Sequence, residues 1–190
     1  NFLEELGEGK ADDLAYLRKP DEYKHALLLE RPNGEGHYAD QPNFDWGYAI
    51  MRNLAYETFK RLRLHFVTQS TYKPLAVVAQ KMLREQFYHL QHWQVWVFQL
   101  GGATEEATNR LNKALEKVWM DADSLFDLGP DKELIVEHGL MNASDRLKEE
   151  WVNSMRKIVE QAGLKWPGEL PKVEYSGRDG VHSQDFVIAL

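Results

Sequence analysis

Glu57 and the run Glu85-Gln86-Phe87-Tyr88-His89 are the residues whose types and spacing come nearest to chemistry. A lone carboxylate on one helix and a Glu-x-x-His pair on the next supply half of a carboxylate-bridged di-iron centre, whose ligands come from four helices. Two ferrous ions carry a large positive charge, and the carboxylates of such a site neutralise it. Here the residue three before His89 is Gln86, not a glutamate. An amide brings no negative charge and is a far poorer bridge between metals. The pattern reads as a di-iron scaffold that has lost a ligand, which points to a member of an enzyme complex more than to an enzyme acting alone.

Each of these residues also has a plainer reading. Glu57 is flanked one heptad away on either side by Ile50 and Leu64, so it projects near an apolar face, where a lone carboxylate is costly unless paired or metal-bound. Equally, it can form an exposed i,i+4 ion pair with Arg61. Gln86 and His89 both fall in the expected inner stripe, and His89 can be a core histidine donating to a neighbouring carbonyl. Glu85 and His89, at i,i+4, could hold one adventitious cation, but two ligands leave most of a metal shell unfilled. His89 and His92 with Trp93 and Trp96 look like a cofactor box, yet aromatic stripes at helical spacing more often serve cores and interfaces. Gly34-Glu35-Gly36 lacks the strand–glycine–helix context of a dinucleotide site and reads as a turn. His182 belongs to a site or simply precedes a helix cap at Ser183. No nucleophile–histidine–acid arrangement has diagnostic spacing.

These residues are positioned by helices. Between the prolines and glycine pairs the apolar period is mostly that of an α-helix, so the expected fold class is all-α. One helix is predicted over 43–69, with Phe44, Tyr48, Met51, Leu54, Ala55, Thr58 and Leu62 on one side. The next starts at Pro74, which is tolerated in a first turn that needs no donor from it. Its stripe is Leu75, Val78, Ala79, Met82, Gln86, His89, Leu90, Trp93, Val97 and Leu100. Gly101-Gly102 stops it, and Thr104 with Glu105 and Glu106 opens another, acid residues favouring the positive end of the helix dipole. That helix carries Ala107, Leu111, Leu115, Val118, Ala122, Leu125 and Phe126 inward, and a further helix is expected over 144–162. Residues 163–180 read as loop, and Ser183 as the cap of a last helix. The whole, 1–190, is expected to be a single helical-bundle domain: 1–42 the end of an upstream helix plus a connecting segment, 43–162 the main helices, 163–190 loop and last helix. Residues 1–7 read as the final turns of a helix ending at the Gly7 cap, so upstream helices are expected in the natural protein.

Composition narrows the function classes. A hydrophobic share of 43% with 12% aromatics supports a substantial core. A net charge of −7 repels backbone phosphates and disfavours nucleic-acid binding. The absence of cysteine excludes disulfides, thiolate zinc sites and iron–sulfur clusters within this sequence. No apolar run approaches the ~20 residues of a membrane-spanning helix, and no signal peptide is visible. A cytoplasmic address fits.

Several stretches taken together resemble one family. They are Leu27-Leu28-Leu29-Glu30-Arg31-Pro32-Asn33-Gly34 with Tyr38-Ala39-Asp40; Glu85-x-x-Tyr88-His89-Leu90-x-His92 with Trp96; Leu100-Gly101-Gly102-Ala103-Thr104-Glu105-Glu106-Ala107; Leu115-x-x-Val118-Trp119 with Leu125-Phe126; and Gly180-x-His182-Ser183. Their order and spacing are similar to those of the C subunits of ring 1,2-phenylacetyl-CoA epoxidase, a bacterial multicomponent monooxygenase of the ferritin-like superfamily. The resemblance covers nearly the whole chain from Gly7 on. It implies a ferritin-like bundle with two further helices before Asn1 and a longer C-terminal helix. It also implies a non-catalytic structural subunit, without a cofactor of its own, that pairs with a catalytic A subunit holding the di-iron centre. A separate reductase would bring electrons from NADPH through flavin and iron–sulfur centres. Glu57, Glu85, Gln86 and His89 would then be the positions of a degenerate di-iron site. The alternative is that the chain is itself a di-iron oxygenase, using Glu57, Glu85 and His89 with ligands from upstream helices.

Overall fold

The punctuation in the sequence sets the helix ends. The computed structural model describes residues 2–34, 44–141 and 144–189. Among these the α-helices are α1 (Phe2–Glu5), α2 (Ala11–Tyr16), α3 (Trp46–Val67), α4 (Lys73–Gly101), α5 (Glu105–Asp121), α6 (Lys132–Glu137), α7 (Ser144–Gln161) and α8 (Gln184–Ala189). Short 3-10 turns lie between them, and the described residues contain no strand beyond an isolated bridge between Gly34 and Phe44. The all-α expectation is met. No helix of the described residues is long and apolar enough to cross a membrane.

The caps account for the boundaries. Asp45 accepts the Tyr48 N–H at 3.0 Å, so α3 starts at Trp46. The expected start at Asn43 lies outside the described residues, and Phe44, expected inward, is exposed against Trp46. Pro74 sits in the first turn of α4, and Thr104 accepts the Ala107 N–H at 3.1 Å to open α5. Gly163, at φ 71°, ends α7 in the left-handed conformation, with the Leu164 N–H donating to the Val159 carbonyl at 3.0 Å. Gly7 ends α1 the same way at φ 80°. Ser183 accepts the Phe186 N–H at 3.3 Å and caps α8, as its sequence position suggests.

The long helix α3 is the hub, packing against α4, α5 and α7. Its Ile50, Met51 and Leu54 meet Val97 of α4, Leu115 and Val118 of α5, and Met155 and Val159 of α7 in one buried cluster. The α5 stripe is buried as predicted except for the half-buried Ala107, and continues through the 3-10 turn Ala122–Phe126. Trp151 lies at the bottom of this core, wholly buried. It stacks on Trp119 with ring centres 5.4 Å apart, and its indole N–H donates to the Ala55 carbonyl at 2.9 Å.

Gly101 marks where the ends of α4 and α7 meet. A Cβ built there would run into the backbone carbonyl of Ala162. Backbone cannot swing aside as a side chain can, so Gly101→Ala is expected to cost about 1–3 kcal/mol through overpacking. Chemical denaturation checks this, and an unchanged midpoint would show that the two helix ends separate freely.

The predicted stripe of α4 is corrected by the structure. Ala79, Gln86 and Val97 are buried, whereas Val78, Met82 and His89 are exposed. At 3.6 residues per turn, Ala79 and Val97 lie about 20° to one side of Gln86, and His89 and Val78 about 60–80° to the other. Among the described residues, neighbouring helices cover only the first side. The second is exposed, and α4 also exposes Phe87, Tyr88 and Val95.

Candidate functional site

Of the four sequence-predicted residues, the structure brings two together. Glu57 on α3 and Gln86 on α4 are both buried where these helices touch, at 7% and 2% exposure. The Gln86 amide donates to the Glu57 backbone carbonyl at 3.2 Å and to the Glu57 carboxylate Oε2. Both partners are acceptors, so the amide nitrogen and not its oxygen must face them. The other carboxylate oxygen has Lys60 Nζ at 3.9 Å. Glu57 is therefore satisfied across the helix interface, and the expected pair with Arg61 does not form. Arg61 lies over the Phe87 ring instead.

The remaining two residues point elsewhere. Glu85 and His89 are exposed on α4, so neither the inward His89 nor its reading as a core histidine holds. This arrangement does not fit a pair of iron ions. Where the sequence pattern leads one to expect a bridging carboxylate there is an amide N–H, which repels a cation as a donor does. The one inward carboxylate is already bound by that amide and faces an ammonium group, and the histidine of the motif turns away.

A second polar cluster lies outside the bundle, where the chain's early and late segments meet. The Glu30 carboxylate is buried; its Oε2 accepts the Ser183 N–H at 2.6 Å, and its Oε1 lies 2.7 Å from His182 Nδ1 and 3.4 Å from His25 Nε2. His182 Nε2 is 3.1 Å from the Tyr23 carbonyl. Burial pushes the His25 imidazole below its ordinary range, against the upward pull of Glu30. Among the described residues His25, Glu30 and His182 are the group with donor atoms close enough to share one metal ion. Gly177 lets the loop approach them, because a Cβ there would meet Glu30 Oε1 and the His25 carbonyl at 2.5 Å. Next to Glu30, Arg31 forks onto Asp121 at 2.8 and 3.1 Å, which holds its guanidinium above its ordinary value.

The family model described as "Phenylacetic acid catabolic protein" matches residues 1–189. The chain belongs to that family. It is also 27% identical over 188 residues to the C subunit of 1,2-phenylacetyl-CoA epoxidase from Escherichia coli (strain K12), a match covering 97% of this chain and 71% of that one.

Within this chain, the Glu30-Arg31 and His182-Ser183 motifs prove to be two halves of one buried cluster. Sequence reasoning singles out both stretches yet gives neither a partner. The available signal is a Glu-Arg pair after three leucines and a Gly-x-His-Ser cap, each of types rarely left alone when buried. The Tyr38-Ala39-Asp40 stretch and most of the Gly34-Glu35-Gly36 turn lie outside the described residues.

Proposed function

We propose that this chain is a non-catalytic helical subunit of a phenylacetyl-CoA epoxidase-like complex in aerobic phenylacetate breakdown, and that it pairs with the subunit carrying the di-iron centre. The complex would be cytoplasmic, and its reaction would place one oxygen atom into the aromatic ring of a CoA thioester to give the epoxide. What carries the reading is the Gln86 amide seated on Glu57. It fills, with a hydrogen-bond donor, the position where a catalytic subunit needs a second carboxylate. In this reading Glu57 and Gln86 join α3 to α4, and Glu85, Gln86, His89 and Glu57 are what is left of a di-iron site.

Mixing the purified chain with an A-type subunit at micromolar concentration should give one co-eluting species on size exclusion. Separate elution at that concentration would overturn the pairing. Iron analysis after anaerobic ferrous loading gives an independent check: about two irons per chain would show a working di-iron site and replace this reading with that of an oxygenase.

Gln86→Glu restores the lost carboxylate and should not create an oxygenase. It sets two buried carboxylates against each other, which is expected to destabilise the fold by about 1–3 kcal/mol at neutral pH. The loss should shrink on acidification, as one of the two takes up a proton and becomes a donor. Denaturation at neutral and mildly acidic pH, with oxygen uptake measured beside it, tests both points. NADPH-coupled uptake without an A-type partner would contradict the proposal.

A further inference from the structure

A pocket of about 520 Å³ opens between α3, the start of α4, the loop after α6 and the segment around Lys24. Its walls are apolar, built from side chains that include Phe59, Leu64, Val67, Leu75, Ile135 and Met141. Four cations, Lys24, Lys60, Arg63 and Arg178, line the same pocket, and among the described residues no aspartate or glutamate does. That is unexpected in a protein of net charge −7. Lys60 has Glu57 at 3.9 Å. The other three have no carboxylate within ion-pair distance among the described residues.

The two arginines are held with little compensation. Arg178 donates one N–H to the Lys24 carbonyl at 3.3 Å, while its Nε is buried without a partner. Arg63 lies over the Phe59 ring at 5.8 Å. Burial and the neighbouring charge of Arg63 bring the Arg178 guanidinium down to about 10, with Asp127 and Tyr56 offsetting part of the fall. Burial lowers Arg63 as well. Half-buried cations that repel each other are costly unless an anion joins them, and a guanidinium fork is shaped to bind a phosphate or carboxylate through two donors.

The structure assigns this pocket as a binding site for an amphipathic anion, its phosphate or carboxylate head held by Arg63, Arg178 and Lys24 and its apolar body lying along Phe59, Leu64 and Ile135. The inference rests on the pocket alone and not on the subunit reading above, so either can fail without the other.

Calorimetric titration of the purified chain with phenylacetyl-CoA and, separately, with decanoate tests it; the first presents phosphates and the second a carboxylate. At least one is expected to bind at a single site, with inorganic phosphate about tenfold weaker or worse because it leaves the apolar walls unused. Arg63→Gln and Arg178→Gln should each weaken binding about tenfold or more. Arg178 also braces the Lys24 segment, so its variant can lose the fold. Arg63 donates no hydrogen bond to a described residue, and Arg63→Gln, checked by circular dichroism, keeps the test decisive. Absence of binding by both amphipathic anions, or an affinity unchanged in Arg63→Gln, would overturn the assignment.

Discussion

Glu30→Ala is expected to lower the unfolding free energy by about 3–5 kcal/mol, the range for breaking a buried, partnered charge. The carboxylate is buried and gathers the Ser183 N–H, His182 and His25 around it. Alanine leaves a buried backbone N–H without its acceptor and two imidazoles facing a void. The damage should be local at first. Residues 177–189 should become sensitive to protease before the bundle of α3, α4, α5 and α7 melts, because that bundle keeps its own core. Urea denaturation with limited proteolysis reads both effects. A loss below about 1 kcal/mol would mean that Glu30 gains little from its partners over what water gives it.

Trp151→Ala should cost as much, about 3–5 kcal/mol, by the cavity it opens. Trp151 is wholly buried, stacks on Trp119, meets the Phe126 ring at 5.4 Å and donates to the Ala55 carbonyl. Removing it empties the junction of α3, α5 and α7, which the surrounding helices can close only in part. Trp151→Phe separates packing from polarity. It keeps most of the ring and loses the indole donor, so about 1 kcal/mol of its cost would be the hydrogen bond. A melting temperature for Trp151→Ala within a few degrees of the parent would show that the helices collapse to fill the gap.

The helices are legible in the sequence because their signals are local. Asp45 is a cap that the pattern does not single out, but Thr104, Pro74, Gly7 and Ser183 act as their types and positions suggest, and the α5 stripe is largely buried. The site is legible only in half. Gln86 and Glu57 do face each other, which heptad position hints at. His89 does not join them, because i+3 on a helix falls about 60° short of a full turn, and the described residues cover α4 on one side only. The period of a sequence gives an apolar arc but not how much of that arc its neighbours cover. The pairing of Glu30 with His182 is beyond local reading altogether, since nothing in either stretch names a partner 152 residues away.

That separation has a kinetic meaning. A contact between residues 152 positions apart closes a loop around nearly the whole bundle, and its closure entropy is recovered only after the helices inside have packed. The Glu30 cluster should therefore form after the rate-limiting step of folding. Its loss would then appear almost wholly as faster unfolding, with the refolding rate little changed. The buried carboxylate would act as a latch that sets how long the native state lasts, while the core around Trp151 sets how quickly it is reached.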